Sequence, residues 1–519
     1  MNAPIRPRPS PAPEPPYQGA RQQVRVRSLA LGADLDPLAV YAALSDGGTR
    51  PDTMLFEPPT GTAIVLAQAA LRIECRGPSV TVQALTQGGR FLLTELTAHF
   101  AHRLRQIEDD RLILEFPAAD GFDAAARLSA PSPFDVLREL LRLRPMPADE
   151  RLGTLCLGVL AYDHVDLFES LPEPAEDPLG FPDYLFWLAE TLVTFEPGEP
   201  PRLVRARFGA PDDEGLETSL VSLAARCRAA PSLGEPDAPG EPDFESVDLD
   251  DPAYEAVVRR MKDHITDGDV YQIVPSRTFR APCPDPLRAF AAVRRLDPRS
   301  YRFFLSMGES RLFGASPETA LRLFDDGVRK VEVRPIAGTR PRGRTDDEDS
   351  RLEAELLTDD KEQAEHLMLV DLARNDVARI SEVGTREVGA LLRIERFARV
   401  MHLVSSVTGT LRGGYDAFHA IQACLNMGTL TGTPKIRATQ LLREAERTKR
   451  GPYGGAVGWI NGEGCMDSAV VIRSAVVKGT TAFVRAGAGI VHDSDPKAEA
   501  DETRRKASAL LSALAGAAR

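Results

Sequence analysis

A proline-rich, acidic run from Pro231 to Pro252 (PSLGEPDAPGEPDFESVDLDDP) cuts the chain into two parts, each with its own apolar patterning. Proline lacks the amide hydrogen that strands and helix interiors need, so a run of this kind supports neither. Upstream, Gln22–Leu29 and Ser79–Leu85 alternate apolar and polar residues with the period of half-buried strands, and Pro133–Leu143 carries a helical period. Downstream, the first strong pattern is helical, YEAVVRRMKDHI from Tyr254. Strands and helices mix in both parts without regular βαβ alternation, which predicts an α+β (α/β mixed) fold. The expected organisation is residues 1–21 as a disordered tail, 22–230 as an N-terminal region, 231–252 as a linker and 253–519 as a second domain. The tail holds seven prolines in its first sixteen residues and reads as polyproline-like.

Several function classes drop out early. A net charge of -13 argues against non-specific nucleic-acid binding, which needs a basic face. No apolar run approaches the ~18–20 residues of a membrane span, and the N-terminus has no apolar signal core. A soluble, cytoplasmic protein is expected, with neither nucleic acid nor membrane as partner. The six cysteines (Cys75, Cys156, Cys227, Cys283, Cys424, Cys465) form no CxxC pair and read as reduced core thiols. There is no GxxxxGK[ST] phosphate loop, and Gly487-Ala488-Gly489 without a following long helix does not make a dinucleotide site.

Two helical segments each carry glutamates three residues apart. Asp359-Asp360-Lys361 opens one, with Glu362 and Glu365; Asp495 caps the other, which starts at Pro496 and carries Glu499 and Glu502. Residues at i and i+3 share a helix face, so each pair projects together, and Lys506 falls about one turn beyond Glu502. Four carboxylates on two helices suit a hard divalent cation that must leave coordination positions open for a substrate carboxylate. By spacing alone the commoner outcome is a solvated face, balanced by Lys361, Arg504 and Arg505.

The second half carries, in order, GDVYQIVPSR, LFGASPE, RPIAGTRPRG, KEQAEHLMLVDLARND, VMHLVSSVTG, MGTLTGTPK, GPYGGAVGW, VVIRSA, AGAGIV and EADETRRKA. This series resembles the chorismate-utilising enzymes from about Tyr254 to the C-terminus. DPLAVYAAL and GVLAYDHVDLFESLP in the first half resemble, more weakly, the N-terminal region of anthranilate synthase component I. The resemblance implies two mixed subdomains whose sheets pack as a β-sandwich with helices outside.

It also implies residue roles. Glu365 and Glu502 match the family's Mg²⁺ ligands, and Glu362 and Glu499 its water-mediated outer carboxylates. Glu318 matches the general acid for the departing 4-hydroxyl of chorismate, a role that needs a raised pKa. Arg473 and Tyr453 match the residues that grip the enolpyruvyl carboxylate. Thr339, Thr429, Gly487, Ala488, Gly489 and Lys506 match the rest of the substrate cradle. His402 matches the histidine associated with loss of pyruvate, where a neutral imidazole takes the C2 proton. Without the resemblance Glu318 is an ordinary strand-end carboxylate, Arg473 a strand-edge surface residue and His402 a satisfied core histidine.

Two positions concern the nucleophile. Gln272 stands where water-adding members have a lysine base; ammonia already has a lone pair and needs none. Ala337 stands where aminodeoxychorismate synthases have a nucleophilic lysine, so ammonia is expected to attack C2 directly. The implied reaction is Mg²⁺-dependent amination of chorismate and pyruvate elimination to anthranilate. The alternative is a 2-amino-2-deoxyisochorismate synthase of secondary metabolism that stops before elimination. A catalytically silent regulatory subunit is the remote third. No glutaminase sequence follows the synthase blocks, so ammonia is expected from a separate glutamine amidotransferase subunit. Heterotetramer and homodimer both stay open.

One departure bears on regulation. Tryptophan-inhibited members have an LLES-type element; here the stretch is MLFEPP, with Pro58 at the serine. Their Pro-Tyr-Met-Phe-Phe-like segment is Ser300-Tyr301-Arg302-Phe303-Phe304, and a tyrosine after YGGxVG is Trp459. A proline without a hydroxyl or amide donor, and an arginine in an apolar slot, predict a pocket that no longer fits indole.

Overall fold

A computed structural model describes residues 23–518, apart from 33–34, 118–123, 147–151, 174–175, 210–212, 236–237 and 398–399. The proline-rich tail expected over residues 1–21 lies outside the described residues.

The fold is α+β, a β-sandwich with helices outside. Two long strands, Ala63–Arg76 and Tyr184–Phe195, pair antiparallel and feed both sheets. One arm leaves through Thr53–Glu57, Tyr301–Ser306, Ser310–Ser316, Ser474–Lys478, Thr481–Gly487 and Ser276–Pro282. The other leaves through Leu155–Leu160, Ala456–Asn461, Met466–Val470, Thr319–Asp325, Arg329–Val333 and Val400–Thr410. Strands from before and after Pro231–Pro252 are therefore hydrogen-bonded neighbours in both arms. Within that run Gly240 N donates to the Ser512 carbonyl of the last helix at 2.9 Å, and Ser246–Val247 forms a short strand paired with Phe279–Arg280, which the proline content did not predict.

Strand alternation builds the layers. Along Tyr301–Ser306, Tyr301, Phe303 and Leu305 face the core between the arms, while Phe304 faces the outer helices. Its outward side meets Phe290 and Phe313 at ring distances of 5.6 and 6.0 Å. Helices Pro286–Leu296 and Pro496–Ala517 cover that side with buried Phe290, Leu510, Leu511 and Leu514. Each such side chain contributes about 1.5–3 kcal/mol on burial. Helix Asp360–Ala378 covers the other arm. Among the described residues no helix is long and apolar enough to cross a membrane. Cys75, Cys156, Cys227, Cys283 and Cys424 are buried free thiols and Cys465 a half-buried one.

Candidate active site

The two glutamate-bearing helices begin where their caps require. Asp359 accepts from the amides of Lys361 and Glu362, each at 3.0 Å, and opens Asp360–Ala378. Asp495 accepts from Ala498 N at 2.9 Å with Pro496 in the first turn, opening Pro496–Ala517. Glu362, Glu365, Glu499 and Glu502 are all half-buried. Burial raises the Glu365 carboxyl pKa, and the fields of Glu362, Glu499 and Glu502 add to it, so the two helices bring the four carboxylates into one neighbourhood. Against the same burial, Lys506 at 2.7 Å holds Glu502 below its ordinary value. Lys361 lies 3.8 Å from Glu365, and Arg340 donates to Glu362 at 3.1 Å while also holding Asp359. Mutually repelling, half-buried oxygen donors fit a hard divalent cation. Among the described residues no three Asp, Glu, His or Cys side chains gather closely enough to cage an ion alone. An ion here would take few protein ligands and keep positions for substrate.

Beside these helices opens a cavity of ≈ 590 Å³, which Glu502 and Lys506 help to line. Glu318, only 4% exposed, reaches it from the link between strands Ser310–Ser316 and Thr319–Asp325 and accepts a 2.5 Å hydrogen bond from Thr429 Oγ1. Burial pushes its carboxyl pKa up to about 7, against Thr429 and Lys506, which lower it. Near neutrality the group therefore stands between its protonated and ionised forms.

Across the cavity, His402 and Thr339 are paired in register between strands Val400–Thr410 and Ile336–Pro341. His402 Nδ1 lies 2.9 Å from the Gly338 carbonyl and 3.1 Å from Thr339 Oγ1. A carbonyl only accepts, so Nδ1 carries the ring proton and Nε2 keeps its lone pair. Burial, assisted by Arg473 and Lys506, lowers the pKa of this imidazole and keeps it neutral.

Arg473 sits in the left-handed region, at φ 51°, where a residue with a Cβ is strained. That turn leaves the guanidinium open to the cavity, with Nη1 3.3 Å from the Lys506 carbonyl. Tyr453 beside it has its phenol raised by burial to about 12 and stays a neutral donor. Gly487 admits no side chain: a Cβ would stand 2.7 Å from the Pro275 carbonyl and 3.1 Å from Tyr453 Oη. Its own carbonyl accepts from Lys506 Nζ at 3.0 Å.

Of the residues singled out in the sequence, Glu318, Ala337, Thr339, His402, Thr429, Tyr453, Arg473, Gly487, Glu502 and Lys506 all line this one cavity. Gln272, Ala488 and Gly489 are not among the residues that line it; a Cβ on Gly489 would stand 2.8 Å from Gln272 Nε2. Glu362, Glu365 and Glu499 form the adjoining acidic face.

Two positioning groups escaped the sequence reading. Arg277 is fully buried and ties the helix of Glu499 and Glu502 in place through Thr503 Oγ1 (2.8 Å), the Ala500 carbonyl (2.9 Å) and Asp251 (2.8 Å). Glu446, held by Arg450 at 2.6 Å and Arg485 at 2.7 Å, braces the floor under Tyr453. Both are single residues without periodicity, so no spacing rule marks them.

The stretch around Pro58 and Arg302 forms a second charge cluster. Arg302 pairs in register with Glu57, just before Pro58, and reaches its carboxylate at 3.5 Å. Arg294 forks onto Glu57 with two 2.8 Å bonds and continues to Asp36. Ser300 is buried and donates to Asp297 at 2.6 Å. Trp459 lies in the other arm, in register with Asp467, which accepts from Tyr301 Oη at 2.9 Å.

This cavity, with a buried carboxyl, a buried imidazole, an arginine and a phenol on its lining, lies within the stretch that matches the chorismate binding enzyme family. The chain belongs to that family, whose model matches residues 80–512. Within it, the chain is similar to anthranilate synthase component 1 of Vibrio cholerae, 45% identical over 497 residues, or 92% of this chain and 94% of the relative. It is as similar to the pyocyanine-specific anthranilate synthase component 1 of Pseudomonas aeruginosa, 45% identical over 468 residues and 88% of each chain. The solved anthranilate synthase component I of Streptococcus pneumoniae superposes with a TM-score of 0.70 at 30% identity, over 88% of this chain and 93% of that one.

Proposed function

We propose that the chain is an anthranilate synthase component I-type lyase. In this reading it aminates chorismate at C2 with ammonia from a separate glutamine amidotransferase subunit, with Mg²⁺, and then eliminates pyruvate to give anthranilate. The observation that carries the reading is Glu318, a buried carboxyl with a pKa of about 7, in one cavity with a histidine whose Nε2 lone pair is free. The reaction needs both groups. Ammonia bonds to C2 as both conjugated ring double bonds shift and the C4–O bond breaks; the hydroxyl leaves as water with the Glu318 proton, and the new C2 ammonium gives up a proton to solvent. The C2 proton then goes to His402 Nε2 while the C3–O bond breaks, leaving the aromatic ring and enolpyruvate, which takes a proton at its methylene carbon to become pyruvate.

Arg473 and Tyr453 hold the enolpyruvyl carboxylate as a charged and a neutral donor. Glu365 and Glu502, with Glu362 and Glu499 behind them, would hold Mg²⁺, which would supply positive charge for the ring carboxylate. Gln272 is an amide and takes no proton from water, which favours ammonia as nucleophile. The similarity to anthranilate synthase component 1 supports the same reading.

Incubation with chorismate, Mg²⁺ and ammonium is expected to yield pyruvate and anthranilate fluorescence in equal amounts, and His402→Ala to accumulate the non-aromatic amine. Chorismate consumed without pyruvate would make the chain a 2-amino-2-deoxyisochorismate synthase. Isochorismate or salicylate as main product would sink the assignment of Gln272.

The Glu57–Arg302–Arg294 cluster supports tryptophan insensitivity, and with it a place in secondary metabolism such as antibiotic biosynthesis rather than tryptophan biosynthesis. An indole has no counter-ion for these groups, and entry would have to break charge-assisted bonds. Calorimetric titration is expected to show no heat with millimolar tryptophan; micromolar binding overturns this reading.

A further inference from the structure

Strand Ile336–Pro341 touches both His402 and the helix that carries Glu362 and Glu365. Its register against Val400–Thr410 slips between Ala337 and Thr339, which makes Gly338 a bulge residue with φ at 69°. The Gly338 carbonyl and Thr339 Oγ1 meet His402 Nδ1. The Gly338 Cα faces the acidic helix: a Cβ there would stand 3.3 Å from Glu362 Oε2 and 3.2 Å from Leu356 Cδ1. Arg340, two residues on, ties the same segment to that helix with hydrogen bonds. Its Nη1 donates to Glu362 Oε1 at 3.1 Å and to the Thr339 carbonyl at 3.0 Å, and its Nη2 to Asp359 Oδ2 at 2.7 Å. Its Nε reaches Glu355 at 3.3 Å. Asp359 caps the helix with its other oxygen, Oδ1, so cap and guanidinium share one carboxylate.

We propose that Arg340 is a positioning residue that fixes Glu362 and His402 relative to one another through the Gly338 bulge. The proposal rests on the roles read above for the acidic face and for His402. Carboxylates behind a metal's direct ligands orient those ligands, so a displaced Glu362 weakens the cation's hold. The guanidinium suits the task because its donors are splayed in one plane and meet Glu362, Asp359 and the Thr339 carbonyl together. A lysine keeps the charge but has a single nitrogen on a flexible stem. Released from Arg340, the strand and the helix keep their packing at Gly338 and lose the bonds that set their distance. The carbonyl that orients His402 belongs to the released segment, so the imidazole shifts with it. A guanidinium that acted only as a rival cation would behave differently. Its neutralisation would strengthen the pull of the acidic face on Mg²⁺, and a lysine would replace it without effect.

Calorimetric titration of the full chain with MgCl₂, without chorismate, tests this. Arg340→Lys is expected to raise the Mg²⁺ dissociation constant about tenfold, the equivalent of one charge-assisted hydrogen bond. Arg340→Gln should weaken Mg²⁺ as well and keeps the test open if the lysine variant fails to fold. In a Glu362→Gln background the same lysine substitution should cost less than about twofold, because the two changes break one interaction. A general loosening of the fold would add its full cost in both backgrounds. With chorismate and ammonium, Arg340→Lys should release less pyruvate per chorismate consumed than the parent and accumulate the non-aromatic amine. Parent-like Mg²⁺ affinity in folded Arg340→Lys, or tighter binding in Arg340→Gln, overturns the proposal. Weakened Mg²⁺ with the parent's product ratio overturns the link to His402. A parent that binds no Mg²⁺ overturns the metal reading and this proposal together, whereas one that binds Mg²⁺ yet releases no pyruvate overturns the lyase reading and leaves the titrations to decide Arg340.

Discussion

Glu318→Gln is expected to cut turnover by about 10²–10⁴-fold, the usual worth of a positioned general acid, while making the folded chain more stable above pH 7. The amide fills the same volume and still accepts from Thr429 Oγ1, which stands 2.5 Å from Glu318 Oε1. It has no proton to give to a leaving hydroxyl. The stability effect follows from the carboxyl itself, moved by burial from the ordinary 4.5 to about 7. The folded chain holds this proton more tightly than the unfolded chain does. Its contribution is therefore complete below pH 4.5, declines as pH rises through about 7, and is absent beyond. A glutamine does not titrate. The variant and the parent should melt alike, so far as this site is concerned, at pH 4.5, and diverge in favour of the variant up to pH 7. The gap is bounded at roughly 3 kcal/mol, from ~1.4 kcal/mol per pKa unit. Melting curves across that range check the sign. A variant that is less stable than its parent at pH 8, or that keeps full activity, shows that Glu318 is not a buried acid.

The sequence already contained the outline of this site. Asp359, Asp495 and Pro496 announce two helix starts, and the i, i+3 spacing puts each glutamate pair on one face. Both helices begin where those residues predict. Periodicity cannot say that the two faces meet. That depends on a sandwich in which Thr53–Glu57 pairs with Tyr301–Ser306 and Leu155–Leu160 with Ala456–Asn461, contacts between strands hundreds of residues apart. Resemblance to the chorismate enzymes supplied what spacing could not, both the roles proposed for the carboxylates and the sandwich.

Other features were invisible for a different reason. The left-handed backbone of Arg473, the unmet oxygen of Thr433 and the buried guanidinium of Arg277 are properties of single residues in a tertiary setting. No window of neighbouring sequence encodes them. The arginine at 302 was legible as a charge in an apolar slot. Its partner was not, because Glu57 becomes its neighbour only through strand register, and the Nε of Arg302 still lacks a hydrogen bond among the described residues.

Glu365→Gln and Glu502→Gln are each expected to abolish turnover and to remove the stabilisation that Mg²⁺ confers, yet to behave oppositely without metal. The parent chain should melt higher as Mg²⁺ is added, by about 2.7 kcal/mol at a hundred times the dissociation constant, because an ion that binds only the folded state stabilises it by mass action. On the proposed ligation, loss of either carboxylate removes a direct oxygen ligand, and neither variant should respond. In metal-free buffer the two positions differ in their surroundings. Glu365 is raised by burial and by three neighbouring carboxylates, and its lysine stands 3.8 Å away, so neutralising it relieves repulsion and should leave the chain as stable as its parent or slightly more so. Glu502 is held below its ordinary value by Lys506 at 2.7 Å, so neutralising it removes that lysine's counter-charge, leaves it only the Gly487 carbonyl and should lower the melting temperature. Two chemically identical substitutions thus give opposite signs in EDTA and the same silence toward Mg²⁺. A general unfolding defect cannot produce that pattern, since it would move both variants downward together. Turnover and melting of the parent that are indifferent to EDTA, or variants that respond to Mg²⁺ as the parent does, would remove magnesium from the site.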